Sequence, residues 1–175
     1  MKDKENPGSI DTGEQSRAKL KAIKILGSRM LSSNEMEKRL TRKGESEESA
    51  RDTVKWLEDI GAVNDAEYAS SIVSHYIAKG YGSARVRDEL FKRGIPRELW
   101  DDAIASLEED EANEAALCYI EKKLKGSRSK DDLRRVTEAL CRRGFSYEEA
   151  RRTVSRYLEA AQDNVENGEN EDEDY

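Results

Sequence analysis

Apolar and polar positions recur along the chain with a period of 50 residues. Leu40, Leu90 and Leu140 each stand four residues before a glycine, in the segments LTRKG, LFKRG and LCRRG. An apolar residue also stands four positions before each of these leucines, and further apolar positions align beyond each glycine. Because apolar residues four apart lie on one face of an α-helix, each segment predicts an amphipathic helix that ends at a glycine.

Local signals around the three glycines predict a second helix after each turn. Glycine suits the left-handed residue that ends many helices, and the basic residue before it favours the negative end of the helix dipole. Ser46 and Ser146 stand where an N-cap is expected, and Glu149 completes a capping box with Ser146. Pro96 takes the equivalent place in the middle segment, close to the first helical turn, where its missing N–H is no loss. A third apolar-periodic stretch precedes each pair, so each unit is predicted to contain three helices.

The predicted fold class is all-α, a tandem array of three three-helix, helix-turn-helix-like repeats that forms an elongated, curved molecule. Stacking of successive repeats covers the apolar stripe that every helix carries. The predicted parts are a disordered N-terminal segment 1–15, repeats 16–60, 64–108 and 111–160, and a disordered acidic tail 163–175. The predicted helices are 17–31, 33–43, 47–59, 65–79, 83–93, 97–108, 111–125, 130–143 and 147–161. Since residues 107–112 contain no helix breaker, one helix shared by the second and third repeats is an alternative.

Charge is distributed unevenly along the chain. The net charge is −7, yet without the two terminal segments residues 16–162 hold 29 basic and 27 acidic residues. The acidity therefore belongs mainly to residues 163–175, which have too few apolar residues to fold. No stretch approaches 18 consecutive apolar residues and the N-terminus has no apolar segment, so we expect no membrane span and no secretory signal. A cytoplasmic monomer is the expectation.

Residue types that carry chemistry do not form a recognisable site. The segment GYGSARVRDELFKRG, residues 80–94, has glycines but lacks the G-x-x-x-x-G-K-[ST] pattern and follows no predicted strand, which indicates a helix–helix turn. His75, the single histidine, is expected at the surface. The spacing of Cys118 and Cys141 fits neither a zinc site nor a disulfide framework, so both are expected to fill apolar space. Trp56 and Trp100 are expected in the core. We predict no enzyme, cofactor or metal ion.

Basic residues are the remaining candidates for function. In the middle repeat Arg85 can pair with Glu89 on its own helix, whereas Arg87 has no acid four residues before or after it. Arg87, near Lys79 and Tyr81, is therefore the better candidate for a contact with another molecule. The third repeat adds a group of arginines that a partner could engage.

Two segments of the middle repeat resemble a known family. VNDAEYA (63–69) and GYGSARVRDELFKRGI (80–95), within the array of three-helix repeats, are similar to the RecX family of bacterial regulatory proteins. The resemblance implies a non-enzymatic protein that binds the RecA–DNA filament along its groove and modulates RecA ATPase, recombinase and co-protease activity, with inhibition as the expected direction. It places the chain in recombination, DNA repair and the SOS response. The residues expected to contact the filament are Lys79, Tyr81, Arg85, Arg87, Arg93, Arg134, Arg142 and Arg152.

Two other functions are compatible with the same repeats. Short helices joined by a glycine turn are typical of helical DNA-binding modules. The near-neutral charge of residues 16–162 argues against tight binding to bare DNA and leaves only a weak contact, because phosphate neutralisation supplies most of that affinity. A protein-interaction scaffold that does not act on RecA would have the same fold and differ only in its partner.

Overall fold

The structure is a computed structural model and describes residues 13–27, 29–105 and 109–168. In these residues the chain forms nine α-helices and one short 3-10 helix, and no strand. The α-helices are α1 (Gly13–Leu26), α2 (Ser33–Arg42), α3 (Glu47–Asp59), α4 (Asp65–Ala78), α5 (Ser83–Lys92), α6 (Trp100–Ala105), α7 (Glu109–Leu124), α8 (Lys130–Arg142) and α9 (Tyr147–Gly168). The all-helical repeat architecture predicted from the sequence is confirmed.

Local capping explains where several helices begin. The Ser46 hydroxyl accepts a hydrogen bond from the Ser49 amide at 3.2 Å. At the equivalent place in the third repeat, the Ser146 amide donates to the Glu149 carboxylate at 2.7 Å, and the Glu149 amide donates to the Ser146 hydroxyl at 3.2 Å. This is the predicted capping box.

The three glycines of the 50-residue period adopt positive φ angles of +87°, +67° and +95°, as the left-handed end of a helix requires.

The sixth predicted helix is divided. A 3-10 helix at Arg97–Leu99 precedes α6, which ends at Ala105. The Leu99 amide donates to the Pro96 carbonyl at 3.2 Å, the bond that defines a 3-10 turn, and no side chain caps this N-terminus in the described part of the chain. The tighter turn satisfies a donor that an α-helix would leave open here.

The two outer helices differ from the prediction at their ends: α1 is shifted towards the N-terminus and ends at Leu26 instead of residue 31, whereas α9 is longer than predicted. Helix α1 begins at Gly13, and α9 continues to Gly168, so residues 163–168 of the predicted acidic tail are helical. The sequence that ends α9, AAQDNVENG, has no proline and no glycine before its last residue, which allows the helix to continue. Residues 1–12 and 169–175, predicted to be disordered, and residues 106–108, where two repeats might share a helix, lie outside the described residues.

Contacts divide the described chain into two compact units. Residues up to Tyr68, with Arg93–Ile95, form the first unit; residues 69–92 and those from Pro96 onwards form the second. Each unit has an apolar core.

Leu40, Leu90 and Leu140 are fully buried, which confirms the three positions from which the period was read. No described helix combines the length and apolarity that crossing a bilayer requires.

Candidate partner-binding surface

The candidate surface starts at the turn between α4 and α5, in the second unit. Gly80 has a φ of +71° and donates to the Ile77 carbonyl at 2.7 Å, while the Tyr81 amide donates to the Tyr76 carbonyl at 3.1 Å. These bonds satisfy carbonyls at the end of α4 in the manner of a glycine C-cap. Lys79 is exposed and Tyr81 is half-buried. The turn interpretation of this glycine-rich segment is therefore correct.

The second glycine of the turn contacts the turn that follows α8. The Gly82 amide donates to the Arg143 carbonyl at 2.9 Å, and the Ala84 amide donates to the Gly144 carbonyl at 3.2 Å. A Cβ atom on Gly82 would overlap the backbone of Gly144, and one on Gly144 would lie 2.8 Å from the Arg85 Cβ. Both residues are glycine because two backbones touch here.

Arg143 is a functional candidate that sequence reasoning missed. Its Nε donates to the Gly80 carbonyl at 2.8 Å, and its Nη2 donates to the Lys79 carbonyl. The guanidinium group also lies against two rings, 4.1 Å from the centre of Tyr81 and 4.3 Å from that of Tyr119. In the sequence Arg143 is marked by its place directly before Gly144. The preference for a basic residue at the negative end of a helix already accounts for that place, so it did not indicate a further role.

Helix α5 presents Arg87 and Phe91 on its exposed face. The Arg87 side chain is 45% exposed and its Nη2 lies 3.0 Å from the Asp101 Oδ1 of α6. The helix pattern suggested that Arg87 has no acidic partner. That suggestion was wrong, because Asp101 belongs to another helix and spacing within α5 cannot reveal it. Phe91 is 67% exposed, one turn further along the helix. Its equivalent in the first repeat is the polar Thr41, which is the sequence signal that could have marked Phe91 as a surface aromatic.

Arg85 and Arg93 are less available than predicted. Arg85 is half-buried beside Gly144. Arg93, in the first unit, directs its Nη1 to the Tyr68 hydroxyl at 3.3 Å and lies 3.9 Å from the Glu35 carboxylate. Its carbonyl accepts a hydrogen bond from the Ser32 hydroxyl. Arg93 thus holds internal contacts, as Arg143 does one period later.

The predicted arginines of the third repeat are exposed on α8 and α9. Arg134 lies 3.8 Å from Glu138 on the same helix, a surface pair that contributes little to stability. Arg142 and Arg152 are exposed as well. Of the eight predicted contact residues, Lys79 and Tyr81 lie in the α4–α5 turn and Arg85 and Arg87 lie on α5, where only Arg87 of the two is exposed.

The other residues singled out in the sequence fall mostly at boundaries. His75 is exposed as expected, and Cys141 is half-buried. The expectation that Cys118 fills apolar space is wrong: it is exposed, because the buried stripe of α7 runs through Ala116, Ile120 and Leu124. Trp56 and Trp100 are only half-buried, each under a cation: Lys19 at 5.2 Å and Arg97 at 5.4 Å from the ring centres. The described residues contain no His, Cys, Asp and Glu group able to hold a metal ion.

A buried carboxylate in the first unit was also missed. Glu45 is 3% exposed, and its carboxylate accepts hydrogen bonds from Lys21 and from Arg17, whose Nη2 lies at 3.3 Å. The hydrogen bond from Lys21, followed by that from Arg17, holds the pKa of Glu45 below its usual value. One and two periods later the chain has Ile95 and Phe145. Glu45 therefore ties α1 to the turn after α2 by charge, at a position where the sequence of the other two repeats has an apolar residue.

The fold and its surface define a class of protein: an all-helical array of three-helix repeats with an exposed helix that presents a basic and an aromatic residue. Comparison with known proteins gives the family. Residues 18–57 match the model of the first three-helix domain of RecX, and residues 64–104 match that of the second.

Relatives and solved structures agree with these matches. The regulatory protein RecX of Pseudomonas entomophila is 32% identical over 138 residues, which cover 77% of this chain and 87% of that protein. That of Clostridium botulinum is 25% identical over 132 residues, 73% of this chain but only 62% of the relative's length. The crystal structure of RecX from Lactobacillus salivarius has the same fold, with a TM-score of 0.75 at 20% identity over 82% of this chain and 96% of that one. The chain belongs to the RecX family of regulatory proteins.

Proposed function

We propose that this chain is a non-enzymatic regulator that binds the RecA–DNA filament and inhibits RecA ATPase, recombinase and co-protease activity. Membership of a family whose members are named regulatory proteins supports this function. The chain would act as a monomer in the cytoplasm, in recombination, repair and the SOS response. Several three-helix repeats could touch successive subunits of a filament, so that modest contacts add through effective concentration.

The observation that carries the proposal is the exposed face of α5. Arg87 and Phe91 stand four residues apart on one helix and are both exposed. Arginine is enriched among the residues that contribute most to binding energy, and phenylalanine is enriched in protein interfaces. The Arg87–Asp101 pair is solvent-exposed, so exchanging Asp101 for an acid of a partner costs little. Lys79 and Lys92, both exposed, add positive charge at either end of α5.

The test is the ATPase rate of RecA on single-stranded DNA, with and without this protein, at several salt concentrations. We expect the wild type to lower the rate. Arg87→Glu and Phe91→Ala should each raise the half-inhibitory concentration about ten-fold or more, as loss of an interface hot spot does. Lys38→Glu, a charge reversal at an exposed position of α2, is the control and should leave inhibition unchanged. Full inhibition by both α5 variants would contradict the proposed surface.

Weak direct contact with DNA is a second candidate, favoured by the exposed Arg142 and Arg152. Labelled single-stranded DNA without RecA measures it by fluorescence anisotropy. If these arginines contact DNA, the binding constant should fall steeply as the salt concentration rises. The slope of its logarithm against the logarithm of the salt concentration should be smaller in the double variant Arg142→Gln/Arg152→Gln. Tight binding to bare DNA with no effect on RecA would favour a DNA-binding module instead. Absence of both effects would favour a scaffold with another protein partner.

A further inference from the structure

Arg143 links the third repeat to three residues of the candidate surface, all within the second unit. Its side chain bonds the carbonyls of Lys79 and Gly80 and lies on the Tyr81 ring. We propose that Arg143 is a positioning residue, which sets the orientation of the α4–α5 turn and of α5 and thereby the affinity of the α5 face for its protein partner. The proposal rests on the function proposed above, and it gives the third repeat a role in orienting the exposed face of α5.

The guanidinium group is suited to this role because it uses both its edge and its faces. The edge donates to two carbonyls of the turn that follows α4, those of Lys79 and Gly80. The guanidinium lies over the rings of Tyr81 and Tyr119, so the group joins the α4–α5 turn to α7. A lysine could supply the charge but neither the planar fork nor the stacking. We therefore expect Arg143, which is half-buried, to act on a partner through the residues it holds.

The main chain around Arg143 fixes the start of α5. The carbonyls of Arg143 and Gly144 accept the amide hydrogens of Gly82 and Ala84, at the N-terminus of that helix. In the first repeat the equivalent helix α2 is capped by its own Ser32, whose hydroxyl accepts the Glu35 amide at 3.0 Å.

Glycine stands at this place in the middle repeat, so α5 has no hydroxyl of its own there. Its first turn depends on the turn after α8 instead. Loosening that turn should change the direction of α5, and of Arg87 and Phe91 on it, without removing either side chain.

The first measurement needs no partner. Amide hydrogen exchange of Gly82 and Ala84 should quicken about ten-fold in Arg143→Gln, the effect of losing roughly one hydrogen bond's stabilisation of the closed turn. Arg143→Lys should lie between Arg143→Gln and the wild type, and it serves as the milder variant if Arg143→Gln does not fold. Arg142→Gln, at an exposed neighbour, is the matched control and should leave both amides unchanged. Unchanged exchange in both Arg143 variants would overturn the proposal.

The second measurement separates positioning from a purely structural role. In the RecA ATPase assay Arg143→Gln should raise the half-inhibitory concentration about ten-fold in the wild-type background, but less than about three-fold when Arg87→Ala is already present. Additive effects would overturn the proposal, because they would mean that Arg143 does not act through the α5 face. If Arg87→Ala alone has no effect, the surface proposed above is wrong and the positioning role fails with it. Faster exchange at Gly82 would then show that the contact itself holds the turn.

Discussion

Replacing Gly144 by alanine tests the contact between the turn after α8 and the start of α5. Gly144 has a φ of +95°, and an added Cβ would lie 2.8 Å from the Arg85 Cβ and closer still to the Arg85 amide. The substitution therefore combines backbone strain with steric overlap. Two other glycines of the same unit separate these effects. Gly126 has a φ of +85° with open space around it, whereas a Cβ on Gly82 meets the Gly144 backbone without a positive φ of its own.

The magnitudes follow from these three environments. Gly126→Ala should cost about 1–2 kcal/mol, the price of a left-handed conformation for a residue with a Cβ. Gly82→Ala should cost about 1–3 kcal/mol, since an overlapping group must displace its neighbours. Gly144→Ala carries both and should cost about 2–5 kcal/mol.

Urea unfolding followed by far-ultraviolet circular dichroism measures these losses. A loss of about 2 kcal/mol shifts the midpoint by roughly 1 M for a protein of this size. The expected order of midpoints is Gly126→Ala above Gly144→Ala, with Gly82→Ala clearly below the wild type. Equal midpoints for Gly82→Ala and the wild type would mean that the two backbones are not in contact. Equal losses of unfolding free energy in Gly144→Ala and Gly126→Ala would mean that backbone strain alone accounts for the effect at Gly144.

Two further predictions concern stability. Leu90→Ala should lower the free energy of unfolding by about 2–5 kcal/mol, because the side chain is fully buried, and an unchanged urea midpoint would contradict the alignment of the repeats. Glu45→Gln should destabilise by about 1–3 kcal/mol at neutral pH, because its two basic partners lose their acceptor charge. Since the pKa of Glu45 is lowered in the folded protein, this contribution is present above the unfolded value of about 4.3 and is lost as pH falls through the folded value. Thermal melts from pH 7 to pH 3 should therefore bring variant and wild type together, and a constant difference would count against the ion pair.

Local signals determined most of the secondary structure. The periodic leucines, the serine caps and the glycine turns each act within about five residues of the chain, so they are legible without knowledge of any distant partner. Where only weak local signals exist, the predicted ends were less accurate: α9 continues to Gly168, and the segment after Pro96 begins as a 3-10 helix.

The sequence by itself also showed the resemblance to a family. It placed the candidate surface in the middle repeat. The tertiary structure alone decided which of its basic residues are available. Arg87 meets an acid 14 residues away, and Arg143 bonds a carbonyl 64 residues before it. Glu45 takes its partner Arg17 from 28 residues earlier. Helical periodicity relates residues three or four apart, and it therefore contains no information about contacts that form only when separate helices pack together.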